Sequence, residues 1–88
     1  ALKVNGDSMI DAGINDKDWV IIEEGTRLYK SKVHVVLIDN QDVTLKYVEK
    51  INSREIKLIP ANKKFKDTIY PIDRVSIQGY VVGQVRIY

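Results

Sequence analysis

The sequence predicts a mainly β fold: a small, twisted, partly closed antiparallel β domain. Three observations point there. Runs rich in Val, Ile and Leu recur along the chain, turn-forming clusters separate them, and helical periodicity is poor almost everywhere. Eighty-eight residues make a single domain, residues 1–88. A domain this small buries only about 60–65% of the surface its unfolded chain exposes, so it needs a tight core. A hydrophobic content of 44% can supply one and argues against disorder.

Taken in order, the short apolar run Leu2 and Val4 leads into the turn Asn5-Gly6-Asp7-Ser8. Met9 to Gly13 is the one helix-like piece. Strands are expected at Val20-Ile21-Ile22, Val33 to Ile38, Val43 to Val48, Glu55 to Ile59 and Val75 to Tyr88. Asp39-Asn40-Gln41-Asp42 is turn chemistry and predicts a hairpin; Asn52-Ser53-Arg54 predicts a second. Pro60 ends its strand because it cannot donate to a ladder. Gly79 and Gly83 interrupt the last apolar run and predict a bent or bulged strand.

Composition excludes several function classes. No cysteine means no disulfide and no thiolate metal site, and a single histidine argues against structural zinc. The longest apolar run, Val35 to Ile38, is far too short to span a membrane, and no signal-peptide pattern opens the chain. A net charge of +2, from 14 basic and 12 acidic residues, gives no basis for nucleic-acid binding by this segment. Lys63-Lys64-Phe65-Lys66 is the one basic cluster; it reads as a solvated loop, with a phosphate or acidic-partner contact as the alternative. Asp11, Asn15, Asp16 and Asp18 lack the glycine and terminal glutamate of a calcium loop and read as a turn. No cofactor or metal is expected.

Ser8 and Lys46 carry the candidate chemistry. A serine after Gly-Asp in a loop is commonly a turn-former or helix cap. It can also be a nucleophile, with Gly6 permitting a backbone angle that lets the Asp7 and Ser8 N–H groups converge as an oxyanion hole. A mid-strand lysine ordinarily points to water. Here period-2 geometry puts Thr44, Lys46 and Val48 on one face, which fits a cleft wall. To act as a base, a lysine of ordinary pKa about 10.4 must fall to roughly 7–8. Desolvation by apolar walls is the usual cause, with Met9, Ile10 and Val48 as candidates, and no acid can pair with the amine. His34 invites a Ser-His-Asp triad but reads better as a partly buried or surface strand histidine.

Together these segments resemble the C-terminal domain of LexA-type repressors, their phage-repressor relatives and the UmuD mutagenesis proteins. The residues that carry the resemblance are Val4-x-Gly6-Asp7-Ser8-Met9-x-x-Ala12-Gly13-Ile14-x-Asp16-x-Asp18, Val35-Val36-x-Ile38-Asp39 and Val43-Thr44-x-Lys46. Further on come Leu58-Ile59-Pro60-x-Asn62 and Ile77-x-Gly79-x-Val81-Val82-Gly83-x-Val85. The resemblance implies a fold of the LexA C-terminal type, with Ser8 as nucleophile, Lys46 as general base and the Asp7 and Ser8 amides as oxyanion donors. It implies a self-cleaving cytoplasmic peptidase that cuts an Ala-Gly-like bond between a DNA-binding domain and this one. RecA filaments on single-stranded DNA are the implied trigger, and the last strand, Tyr80 to Tyr88, the implied homodimer contact. Since no initiator methionine precedes Ala1, the chain is read as a fragment lacking its DNA-binding domain and cleavage segment. Ala12-Gly13 matches the cleaved dipeptide in letters but lies too close to Ser8 for in-line attack. A catalytically silent dimerisation module and a UmuD-like polymerase subunit are the alternatives. A signal peptidase is disfavoured, because Ile10-Asp11 follows Ser-Met and nothing anchors to a membrane. Lys17 and Ser31 stand where the family favours glycine, and His34 where it favours an apolar residue, so the geometry of the 16–18 turn is open.

Overall fold

The computed structural model describes residues 1–88. Seven strands form one antiparallel sheet: β1 (Leu2–Lys3), β2 (Trp19–Glu24), β3 (His34–Ile38), β4 (Asp42–Lys50), β5 (Glu55–Ile59), β6 (Thr68–Pro71) and β7 (Val75–Val85). Their spatial order is β1-β2-β7-β3-β4-β5-β6. The sheet keeps two free edges and is not closed into a barrel. The mainly β expectation holds, and the remaining regular structure is two short 3-10 turns, Ile10–Ala12 and Ile72–Arg74.

The β3–β4 hairpin forms where its residues allow it. Asp39 (φ 53) and Asn40 (φ 57) both take left-handed angles, and the Ile38 carbonyl accepts the Gln41 N–H at 3.0 Å. Two positive φ values in succession match the right-handed twist of the flanking strands. At the second hairpin the Asn52 side-chain oxygen accepts the Arg54 and Glu55 N–H groups. Three features depart from expectation. The last strand stops at Val85, not Tyr88. β1 and β6, at two and four residues, are too short for their periodicity to register in sequence. Ser31 lies in a turn closed by the Lys32 N–H on the Tyr29 carbonyl without a positive φ, so it needs no glycine.

Alternation divides the apolar residues between the two faces of the sheet. One cluster holds Val4, Met9, Ile14, Val20, Val33, Val35 and Leu45. The other holds Val36, Val48, Ile56 and Leu58. β7 serves both. Ile77 packs on the second cluster and Val81 on the first, although both are odd-numbered. The register slips between Val35, which faces Gly79, and Val36, which faces Ile77, so Gln78 is the extra residue of a bulge that inverts the strand's phase. A second slip, between Ile21 and Ile22, leaves Val82 unpaired beside Gly83. The bulges foreseen at the two glycines are present.

The two glycines are not equivalent. A Cβ on Gly79 would lie 2.3 Å from the Glu23 carbonyl oxygen, whereas one on Gly83 would meet nothing closer than 3.6 Å. Gly79→Ala is expected to destabilise the domain by about 1–3 kcal/mol, because backbone must give way, and Gly83→Ala to cost distinctly less. Urea denaturation of the two variants makes the comparison.

Candidate functional site

β4 changes neighbours along its length. Residues Asp42 to Lys46 pair with β3, and Tyr47 to Lys50 pair with β5. Lys46 is therefore the last residue before the second neighbour joins. The loop after β1 sits at this corner. The Ala61 N–H, just beyond β5, donates to the Ser8 carbonyl at 2.8 Å, and Asp11 N–H donates back to the Ala61 carbonyl at 2.7 Å. Met9 packs into the same cluster as Leu45.

Lys46 Nζ lies 3.1 Å from Ser8 Oγ and 2.5 Å from Thr44 Oγ1. Thr44 and Lys46 are two residues apart on one strand face, so the threonine hydroxyl fixes the amine from below. No carboxylate pairs with this lysine; the ion pairs of the domain are Arg74–Asp39 and Arg86–Asp18. Burial alone acts on its titration and lowers its pKa from the ordinary lysine value. Of the three expected walls, Met9 and Val48 are buried, but Ile10 is exposed and forms none of the cleft. Ile10 opens the 3-10 turn, and its backbone, not its side chain, closes that turn onto Gly13.

The loop that carries Ser8 is pinned on several sides. Gly6 has φ 94, the left-handed angle expected of it, and donates its N–H to Asp16 Oδ1 at 2.8 Å. Neither the Asp7 nor the Ser8 amide donates to another group of the chain. Asn62 Nδ2 donates to the Asp7 carbonyl at 2.8 Å. The 16–18 turn keeps its left-handed geometry despite Lys17, which sits at φ 72. Hydrogen bonds on both sides hold it there: Lys17 N–H to the Val4 carbonyl, and Val4 N–H to the Asp18 carbonyl, both at 2.8 Å. Asp18 is buried, and Arg86 forks onto it with two contacts of 2.8 Å. These hydrogen bonds hold the Asp18 carboxyl down at about 2. The acidic stretch thus works as turn and latch. Gly13, at φ 81, caps the 3-10 turn and offers its carbonyl to Gln84 and Arg86, so Ala12-Gly13 belongs to the turn.

His34 is fully buried, deeper than the sequence suggested. Its Nε2 accepts the Tyr29 N–H at 3.1 Å, and Nδ1 has no hydrogen-bond partner. No aspartate reaches it, and desolvation holds its pKa below the usual imidazole value. A neutral ring among Tyr29 and Tyr80 fills the place of an apolar side chain. The Lys63–Lys66 stretch is an exposed loop. A cavity of about 120 Å³ opens beside the serine, bounded by Leu2, Val4, Gly6, Met9, Val43 and Leu45 among others.

The Peptidase S24-like family model matches residues 1–82. The chain belongs to the Peptidase S24-like family. Its relatives within the family include LexA repressors. It is 50% identical over all 88 residues to the LexA repressor of Gluconacetobacter diazotrophicus, covering 34% of that protein. It is 43% identical over 88 residues to that of Zymomonas mobilis, covering 40%. The Petrotoga mobilis LexA repressor is 39% identical over 87 residues, 99% of this chain and 42% of that protein. The chain thus spans well under half the length of these curated relatives, as one LexA-type C-terminal domain of the S24 family. The resemblance read from the Gly-Asp-Ser-Met and Val-Thr-x-Lys elements stands. The sequence did not single out Arg86, and it gave Thr44, Asp16 and Asn62 no contact with the serine, its loop or the lysine. These three lie inside the quoted motifs, and that membership was the available signal.

A lysine desolvated without a counter-charge destabilises the fold wherever the same lysine is protonated in the unfolded chain. Its folded pKa lies below its unfolded one, so stability rises as pH climbs from the first value to the second. Lys46→Met is expected to be more stable than the unsubstituted chain at pH 7, with the advantage shrinking towards pH 10.5. Urea denaturation at the two pH values reads the difference.

Proposed function

We propose that this domain is the self-cleaving, dimerising C-terminal part of a LexA-like or phage-type transcriptional repressor. The single observation that carries the reading is the 3.1 Å approach of a half-buried, acid-free lysine amine to the Ser8 hydroxyl. In its neutral form Lys46 accepts the hydroxyl proton while one of its own N–H groups donates to Thr44 Oγ1. Ser8 Oγ attacks the scissile carbonyl, and the Asp7 and Ser8 amides hold the developing oxyanion. The C–N bond breaks, Lys46 passes its proton to the leaving amine, and water hydrolyses the acyl-enzyme. The small cavity beside Ser8 suits a side chain of alanine size on the acyl side of the bond, in keeping with an Ala-Gly-like sequence.

The substrate in this reading is the segment that joins a DNA-binding domain to this one. Tethering the bond to its own enzyme supplies the effective concentration that a free substrate would lack. The trigger is a RecA filament on single-stranded DNA, the setting is the cytoplasm, and cleavage relieves repression after DNA damage. DNA contact falls to the other domain. Dimerisation uses the end of β7 and the residues after it: beyond Val81 only the β2 edge of the strand is paired, and Val82, Val85, Ile87 and Tyr88 are exposed.

Self-cleavage of the full-length protein is expected to accelerate as pH rises through the Lys46 pKa, below 10.5. Ser8→Ala and Lys46→Ala should each reduce it by on the order of 10³-fold or more. Thr44→Val should slow it about tenfold, by freeing the amine's rotamer. Cleavage in Ser8→Ala at the unsubstituted rate would refute the assignment. For the dimer, Val85→Asp should shift the sedimentation-equilibrium mass from two chains towards one; an unchanged mass would rule out this edge.

A further inference from the structure

The Ser8 amide can serve an oxyanion only if the Asp7–Ser8 peptide is held in one orientation. Every peptide bond in the chain is trans, so the Asp7 carbonyl and the Ser8 N–H point in opposite directions across one rigid plane. Whatever holds that carbonyl aims that N–H. Two donors reach it. The Ile10 N–H, at 3.3 Å, belongs to the same turn and moves with it. Asn62 Nδ2, at 2.8 Å, comes from the corner after β5. Asn62 is itself fixed, because its Oδ1 accepts the Lys64 N–H at 2.9 Å. The neighbouring Ala61 N–H pins the next peptide through the Ser8 carbonyl at 2.8 Å. Both peptide planes flanking the serine are therefore referenced to residues 61–62.

We propose that Asn62 is a positioning residue that aims the Ser8 amide at the oxyanion by anchoring the Asp7 carbonyl. This rests on the assignment of Ser8 as nucleophile. Asn62 touches neither the serine hydroxyl nor the lysine amine, so its loss lowers the limiting rate and leaves the titration of Lys46 in place.

The probe is a fluorophosphonate: Ser8 Oγ forms a bond to phosphorus, fluoride leaves, the proton goes to Lys46, and the phosphoryl oxygen occupies the oxyanion position. Labelling rates are measured across pH for the unsubstituted chain, Ser8→Ala, Asn62→Ala and Asn62→Asp. Asn62→Asp is nearly isosteric and keeps the acceptor for Lys64 while removing the donor to Asp7. Both Asn62 variants are expected to fold and to lose about ten- to a hundredfold in limiting rate. The pH midpoint of Asn62→Ala should match that of the unsubstituted chain. If Ser8→Ala labels normally, the nucleophile assignment fails. If Ser8→Ala is silent while the Asn62 variants label at full rate, or if the Asn62→Ala midpoint moves, the nucleophile stands and the positioning role is overturned. A scalar coupling across the hydrogen bond from Asn62 Nδ2 to the Asp7 carbonyl carbon, read by NMR in the unsubstituted chain, tests the anchor independently of reactivity. Its absence also overturns the proposal.

Discussion

Withdrawing the Lys46 amine from water without giving it a counter-charge is the constraint to which the rest of the structure answers. A carboxylate nearby would ease the burial and keep the amine protonated. The domain instead surrounds it with two hydroxyls, from Ser8 and Thr44. These give the nitrogen hydrogen-bond partners without placing a negative charge beside it. The place that permits this is the corner where β4 leaves β3 and takes up β5. A strand is available to carry the lysine there, yet one flank is free to receive a loop.

The loop must then be rigid without being regular. Residues 5–9 belong to no strand, and their backbone is fixed by outside groups instead: Asp16 on Gly6, Asn62 on Asp7, Ala61 on Ser8. Asp16 depends in turn on a tight turn at Lys17, and Arg86 secures that turn through Asp18. A left-handed lysine costs about 1–2 kcal/mol. The turn retains it because its neighbours on both sides are tied down.

Much of this was legible in the sequence. The period-2 run 43–48 placed Thr44 beside Lys46, and Asp39-Asn40 announced its turn, because both depend only on local geometry. The Gly-Asp-Ser-Met and Val-Thr-x-Lys elements identified the pair that the fold brings together. Other features were hidden because distant residues decide them. Nothing around His34 reveals that Tyr29 and Tyr80 will enclose it. Ile10 looks like a cleft wall until the 3-10 turn rotates it outward. Alternation in the last strand misleads, because the extra residue at Gln78 reverses which side chains face which core.

The position of β7 has a further consequence. It is seventh along the chain yet third across the sheet, and it is the one strand that joins the β1–β2 pair to the β3–β6 group. The serine hangs from the first of these and the lysine from the second. Assembly is consequently non-local and slow to nucleate. The hydroxyl and the amine thus come from two groups of strands that the sheet unites only when β7, the last strand to be made, lies between them.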